Sequence, residues 1–493
     1  MNNPRAHNTT ASHYRHISLV LAGFALLAFF LADIDITTRS PGTELGRILA
    51  GLIRPDFFAT DHLLQATLFT LSFAVQGVAL GAAVGFVLAC FWHYRSVRMA
   101  SATVRAIHEL FWGLIFLQLT GLSTLTGVLA IAIPYSGIFA KVFGEFLEES
   151  NSKPAQALAR NSGPLSTFFF AKLPLVWAQF KVYGAYRLEC GIRSSAILGF
   201  IGLPTLGFHL ETAFRQGDYS AGAALLYIFF LLIISMRGWL HARLIPIYLL
   251  AALLYAPPLS SNTGASLWRF LSHDIMPAPL RSGYSGDLTF SRWALDLVSQ
   301  QAVPGLVNTL VLGSAALLMT GLIAIMILPL LSRHFSGKLV RSGANIFVIM
   351  MRTTPEFLLA FIFLLALGPS MLPGIFALAL HTGAIIGHLT SRIADQLPIP
   401  SNSARGLNRL SFEVLPRVYG NFLALLLYRW EIIMRETAIL GLIGIPTIGF
   451  YIDSAFAEFR LDRAFFLIAV SVILNLSVDG LSRTLRNRLR LHA

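Results

Sequence analysis

Two sets of charged residues sit where an apolar chain should not carry them. Arg187, Glu189 and Arg193 recur as Arg429, Glu431 and Arg435, each set beside or within a long hydrophobic run. A central arginine or carboxylate costs about 2.5–3.5 kcal/mol to insert into a bilayer. Three bare charges per set would cost on the order of 8–10 kcal/mol on that scale, so each set needs partners or a wet cavity. Glu189 and Arg193 are four residues apart, as are Glu431 and Arg435, the spacing of a same-face helical ion pair. Arg187 and Arg429 must find other partners. The chemistry open to these residues is structural pairing or the attraction of an anion. Arg193 and Arg435 are the candidates for an anion pathway; Arg187, Glu189, Arg429 and Glu431 are the candidates for structural ion pairs.

Just downstream, Gly199, Gly202, Pro204 and Gly207 break an apolar segment, and Gly441, Gly444, Pro446 and Gly449 break its counterpart. Broken backbone survives in a membrane where it is buried in protein or lines a water-filled cavity. A break also exposes a helix N-terminus, whose free N–H groups suit anions. Thr205 and Thr447 add a hydroxyl at the same point. A packing kink and a lined pathway both remain open. On the pathway reading, Gly202, Pro204, Thr205, Gly444, Pro446 and Thr447 join the two arginines.

These residues belong to one duplicated string. Residues 186–208 return as 428–450 at a constant offset of 242, with 14 of 23 positions identical. Such an internal repeat in an apolar chain predicts two related halves. A second pair of sites, Arg105-Ala-Ile-His108-Glu109 and Arg352-Thr-Thr-Pro355-Glu356, stands at the mouth of a span in each half. An acid at a helix start complements the helix dipole, so capping and anchoring explain it.

The elements that must position these residues are membrane spans. The chain is 55% hydrophobic and 12% charged, with a mean hydropathy of +0.68. Soluble proteins carry about 25% charged residues. Apolar runs long enough for about 30 Å of hydrocarbon recur throughout. Spans are expected near 17–33, 64–92, 102–119, 122–143, 167–186 and 221–236, and near 244–257, 303–331, 343–366, 371–390, 414–430 and 464–480. The broken segments fall at 194–214 and 437–456. The fold class expected is an all-α polytopic membrane protein, two parallel tandem repeats of about six transmembrane helices each, residues 1–240 and 241–493.

The net charge of +13 gathers in short segments between apolar runs, such as Arg95, Arg98 and Arg105, or Arg333, Lys338 and Arg341. That is the positive-inside bias, which puts both termini in the cytoplasm. No continuous basic face for nucleic acid is visible. Cys90 and Cys190 lie in apolar segments and suggest neither a disulfide framework nor a metal cluster. The run from Ile17 to Ala32 reads as a retained first span rather than a cleaved signal. No nucleophile has a base beside it and no phosphate-binding Gly-x4-Gly-Lys-Ser/Thr loop occurs, so no enzyme activity and no cofactor are expected.

The string Tyr186-Arg187-x-Glu189-x3-Arg193-Ser-Ser-Ala-Ile-Leu-Gly199 resembles the transmembrane permease of phosphonate importers in the ATP-binding-cassette superfamily. The similarity extends to the two Arg-x3-Glu sites and to the run from Gly137 to Glu145 with Lys141. Pro154-Ala-Gln-Ala157-Leu158-Ala-Arg160, followed by Lys172-Leu173-Pro174, resembles the cytoplasmic coupling loop that fits a groove on the ATPase. In the second half Ser403-Ala404-Arg405-Gly406 stands in that place, closer to Leu415-Pro416 than the family pattern has it. Such permeases usually carry one domain per chain; here two are fused, as in some iron and thiamine permeases. Leu-Pro204-Thr205-Leu-Gly and Ile-Pro446-Thr447-Ile-Gly also replace the family's Gly-Ala-Gly-Gly-Ile-Gly.

The resemblance implies a type I importer fold in the bacterial inner membrane and inward transport of a phosphonate or related phosphorus oxyanion. It also implies cytoplasmic ATPase subunits, two by symmetry, and an extracytoplasmic solute-binding protein as partners. Pro154, Ala157, Leu158, Arg160, Ser403, Ala404, Arg405 and Gly406 would make the ATPase contacts. A fused permease for iron, thiamine or another small solute is the alternative, and an ion-coupled secondary transporter a more distant one.

Overall fold

A computed structural model describes residues 4–60, 62–150, 163–256, 264–281, 286, 289–398 and 404–489. The described residues form helices and turns, without a strand. In chain order the main helices are α1 (Pro4–Leu31), α2 (Pro41–Ile53), α3 (Leu63–Cys90), α4 (Arg95–Ala106), α5 (Glu109–Thr120) and α6 (Thr124–Glu149). Then come α7 (Leu173–Ile197), α8 (Leu206–Arg215), α9 (Tyr219–Trp239) and α10 (Ile245–Leu254). The rest are α11 (Val303–Leu331), α12 (Lys338–Thr353), α13 (Glu356–Leu367), α14 (Met371–Asp395), α15 (Leu415–Thr437), α16 (Ile448–Ala457) and α17 (Leu461–Arg488).

By length and composition, 7 of the described helices can cross a membrane, or up to 10 when each bent pair is one span. The segments expected at 102–119 and 343–366 are such pairs. Helices α4 and α5 meet at 87°, and α12 and α13 at 98°. The cause is local. Pro355 pushes Thr354 out of the helical region, and Thr354 is extended at φ −67°, ψ 125°. In the first half Ile107 is extended, and the His108 side chain accepts the Leu110 N–H at 3.1 Å to start the next helix. Both α4 and α12 are amphipathic and basic, which suits the membrane interface.

Elsewhere proline is absorbed without a bend. Leu173, Leu415 and Val303 each precede a proline, and their N–H groups reach back five residues to the carbonyls of Phe168, Leu410 and Val298. This π-turn opens the helix where the proline ring would clash with a carbonyl. The segments expected separately at 167–186 and 194–214 therefore join in a helix running from Leu165 to Ile201, which turns by 52° into α8.

The chain divides into two compact units, residues 46–272 and residues 1–45 with 273–493. This division differs from the boundaries expected from the repeat. Helix α1 packs on α11, and the Tyr419 hydroxyl donates to Ser18 Oγ at 2.6 Å. Helix α10 packs on α3, where Ser72 Oγ and Gln76 Nε2 donate to the Ala252 carbonyl at 2.6 and 2.8 Å. The apolar helix that leads each sequence half thus lies in the compact unit of the other half.

At the centre of unit 46–272, α3 crosses α6 closely because Gly77, Gly81 and Gly85 face Ile131, Tyr135 and Phe139. A methyl group on any of them would fall within 2.9 Å of the facing Cβ. Small residues at four-residue spacing let helix backbones approach where lipid offers no hydrophobic drive. In the other unit α11 crosses α14, and the small residues have changed sides: Gly383 and Gly387 on α14 face Ile323 and Ile327 on α11.

Candidate functional site

The duplicated motif occupies the end of α7 and the turn into α8, and again the end of α15 and the turn into α16. Its glycines are explained by contact. A Cβ on Gly207 would lie 1.8 Å from the Ala196 carbonyl oxygen, and one on Gly449 would lie 1.6 Å from that of Ala438. Gly199 and Gly441 press equally hard on the Phe208 and Phe450 amides, at 2.1 and 2.0 Å. The two arms of each broken helix therefore touch backbone to backbone. Gly202 and Gly444 make the reversal at φ 93° and 90°, in the left-handed region that disfavours side chains.

Thr205 and Thr447 do not face a cavity. Both are fully buried at 0% exposure, and their hydroxyls have no hydrogen-bond partner. The helix N-termini behind them are not free either. The Leu206 N–H donates to Thr70 Oγ1 at 2.9 Å, and the Ile448 N–H donates to Thr309 Oγ1 at 3.0 Å. Each of these threonines lies on the neighbouring long helix and passes its own proton to a carbonyl four residues back, Ala66 or Gly305, at 2.7 Å. The Pro446 carbonyl accepts from Asn308 Nδ2 at 2.8 Å. Capping from a neighbouring helix thus uses the leading amide of each break.

The charged set is arranged differently in the two halves. Arg187 lies over the rings of Tyr183, Tyr186 and Tyr135, its guanidinium carbon 5.1, 5.5 and 5.9 Å from their centroids. Its Nε donates to the Tyr183 hydroxyl at 2.8 Å. The partner is thus an aromatic cage rather than a carboxylate, which holds a cation in an apolar place through the ring quadrupoles. Arg193 Nη2 reaches Cys190 Sγ at 3.3 Å. Arg193 is half-buried. In the second half Arg435 Nη2 lies 3.2 Å from Glu436 Oε1. Tyr428 there carries Arg486 over its ring at 5.6 Å. Arg429 and Glu431 are half-buried on α15.

Next to the motif, each half places a glutamate at the start of the helix after its elbow. Glu109 Oε1 accepts from Ser194 Oγ at 2.7 Å, and the Tyr135 hydroxyl lies 3.2 Å from the same Ser194 oxygen. His108 Nε2 is 3.5 Å from Glu109 Oε2. In the other half Glu356 Oε1 lies 3.6 Å from His381 Nε2. The sequence marked both glutamates but missed Ser194, Tyr135, His381 and the capping threonines. Thr70 and Thr309, hydroxyls within apolar helices and 239 residues apart, were the available signal.

Of the residues expected to contact an ATPase, Pro154, Ala157, Leu158, Arg160 and Ser403 lie outside the described residues. Ala404 is held from both sides: its N–H donates to Glu413 Oε1 at 2.9 Å, and its carbonyl accepts from Arg409 Nε at 2.6 Å. Arg409 also reaches the His334 carbonyl at 3.3 Å. Arg405 is exposed, and Gly406 turns the chain at φ 61°.

Residues 325–491, which include α12 to α17, the segment from Ala404 to Val414 and the second copy of the motif, match the family described as binding-protein-dependent transport system inner membrane component. A curated relative extends the likeness to both halves. The phosphate-import permease PhnE of Mycolicibacterium smegmatis is 25% identical over 475 residues, 88% of this chain and 86% of its own length. Residues 325–491 thus resemble the importer-permease domain, and the similarity to such permeases runs along most of the chain. The phosphite transport permease PtxC of Stutzerimonas stutzeri is 29% identical over 225 residues, 43% of this chain and 81% of that protein. PhnE2 of Escherichia coli K12, whose name refers to a cryptic phosphonate transport system, is 26% identical over 118 residues, 24% of this chain and 96% of its own. No solved structure matches the chain. The permease is a multi-pass inner membrane protein, and its relatives are transport subunits rather than enzymes.

Proposed function

We propose that this permease carries a small phosphorus oxyanion (phosphate, phosphite or a phosphonate) inward, driven by two separate cytoplasmic ATPase subunits and supplied by an extracytoplasmic solute-binding protein. The observation that carries this reading is the relative named for phosphate import, which aligns with 88% of the chain and so takes in both repeats. Both termini lie in the cytoplasm on this reading, as does the whole ATPase-facing side. The ATPase contacts fall on 151–165 and on the segment around Ala404, Arg405 and Gly406. ATP binding shifts the permease between states only because the loaded ATPase binds one of them better.

Arg193 and Arg435 supply positive charge along the substrate route. The Gly202-x-Pro204-Thr205 and Gly444-x-Pro446-Thr447 breaks fix the helices that carry those arginines. Arg187 and Arg429 with Glu189 and Glu431 serve the bundle rather than the cargo. The tyrosine rings around Arg187 support its structural role, and Arg193 and Arg435 stand partly exposed at equivalent positions of the repeat.

The test is uptake into proteoliposomes holding the full chain, its ATPase and its binding protein. Phosphate, phosphite and methylphosphonate are compared with ferric iron and thiamine, and one of the first three is expected to accumulate. Uptake of iron or thiamine alone would overturn the cargo. The double variant Arg193→Gln/Arg435→Gln is expected to lose at least about ten-fold in uptake at normal assembly, roughly 1.4 kcal/mol of interaction with the anion. Unchanged uptake would take both arginines out of the route.

A further inference from the structure

The two elbows each bury a histidine beside a glutamate, but they draw that histidine from different places in the chain. In this region the halves align at an offset of 247, which relates Glu109 to Glu356 and the helix-capping Ser123 to Ser370. His108 sits in the elbow itself, and its counterpart is Pro355. His381 sits inside α14, and its counterpart in α6 is Pro134. Histidine and proline have exchanged positions between the halves. Both imidazoles are nevertheless buried, with side chains 1% and 2% exposed, and both bring Nε2 to within 3.5 and 3.6 Å of the elbow glutamate.

The remaining ring nitrogens tell the two pairs apart. A neutral imidazole has one N–H donor and one acceptor nitrogen. His108 Nδ1 accepts the Leu110 N–H at 3.1 Å, so its proton sits on Nε2, facing Glu109 Oε2. Glu109 Oε1 accepts a hydrogen bond from the Ser194 hydroxyl. A neutral ring and an ionised carboxylate satisfy that arrangement. His381 Nδ1 instead faces two carbonyl oxygens, Met351 at 3.0 Å and Thr354 at 2.9 Å, and must donate. A neutral ring would then turn its Nε2 lone pair toward the Glu356 carboxylate, acceptor against acceptor.

We infer that the His381–Glu356 pair holds one proton more than the His108–Glu109 pair, kept between His381 Nε2 and Glu356 Oε1. His381 is a positioning residue: it ties the carbonyls that end α12 to the acid that begins α13, and so fixes the 98° elbow. Of the charged groups on the neighbouring helices, Arg352 ends α12, and α15 presents Arg435 and Glu436, where the first half has Arg193 and Ser194 at the 242 offset. Glu436 is buried and lies 3.2 Å from Arg435. His388 and Arg392 stand further along α14 itself.

The experiment needs no substrate, so its outcome is separable from that of the transport reading. Full-length permease carrying 15N-histidine, in lipid nanodiscs, is examined by NMR for ring protonation and by infrared spectroscopy for protonated carboxyl bands. His108 is expected to be neutral with its proton on Nε2. His381 is expected either to carry both protons, or to be protonated on Nδ1 alongside a protonated carboxyl band that Glu356→Gln abolishes. A His381 with a bare Nδ1, or with a bare Nε2 and no such band, overturns the inference. A second arm moves the histidine back: His381→Ala is expected to lower the melting temperature, and His381→Ala/Pro355→His to restore most of that loss, with the new ring protonated on Nε2. A relocated histidine that restores nothing overturns the equivalence of the two pairs.

Discussion

Gly207 and Gly449 leave no room for a methyl group, because the backbone of the other helix arm is in the way. Replacing either by alanine is expected to cost at least about 3 kcal/mol, the upper range for overpacking, since a carbonyl cannot move aside as a side chain can. Thermal unfolding of the purified variants measures it, and a Gly207→Ala protein as stable as wild type would refute the contact. The buried threonines give the opposite expectation. Thr205→Val and Thr447→Val remove orphaned hydroxyls and should stabilise by about 1 kcal/mol each with transport intact. A transport defect at normal stability would put those hydroxyls back on the substrate route. Thr70→Val and Thr309→Val uncap α8 and α16 and should each cost about 1 kcal/mol. At this scale the sequence displayed the motif but not its partners. Repetition at one offset marks residues that share a backbone task. It cannot show that the task is completed by Thr70, or that His381 answers a proline elsewhere, because those partners lie over a hundred residues away or on different helices in the two halves.

The helices themselves were legible wherever apolar length sufficed, as in α3, α6, α11, α14 and α17. They were misread where a short local signal overrode composition. Hydropathy runs smoothly through 102–119 and 343–366, yet an extended residue before His108 or Pro355 divides each run into two helices at nearly a right angle. The spans expected at 167–186 and 414–430 run through Pro174 and Pro416, and a π-turn is what carries the helix past each proline. The leading helices show a further limit: hydrophobic length marks α1 as a span but does not say which bundle it joins. Because α1 packs on α11, deleting residues 1–31 is expected to loosen the unit formed by 273–493. Hydrogen exchange in 303–331 should rise at least several-fold, while exchange in 63–90 stays as it was. Faster exchange confined to 63–90 would contradict the observed packing of α1.

Across the whole molecule, the two repeats reach similar local geometry by unlike means. The glycines that bring long helices together lie on α3 in one half and on α14 in the other. The arginine of the motif is caged by tyrosines in one half, while in the other Tyr428 receives Arg486. The histidine of the elbow comes from opposite sides. Duplicated halves that have diverged in this way retain the pairing of helices while each supplies its own chemistry. The segments proposed to face the ATPase diverge as well, with Ala404 pinned by Glu413 and Arg409 in the second half, where the first half has Ala171 and Thr167 at the 242 offset. Removing that anchorage by Glu413→Gln/Arg409→Gln is expected to lower transport-coupled ATP hydrolysis several-fold without changing the melting temperature, and equal losses in both would mark the contacts as purely structural. The composition, the repeat and the charge placement were enough to read a polytopic membrane protein with two related halves; the importer reading rested on the resemblance of the duplicated motif, and the cargo depends on side chains whose surroundings no spacing reveals. The most direct measurement is uptake of labelled phosphate and phosphite by proteoliposomes containing the permease and binding protein, with and without the ATPase and ATP. Accumulation that needs both the ATPase and ATP is the expected result; accumulation driven by an ion gradient in their absence would contradict the importer assignment.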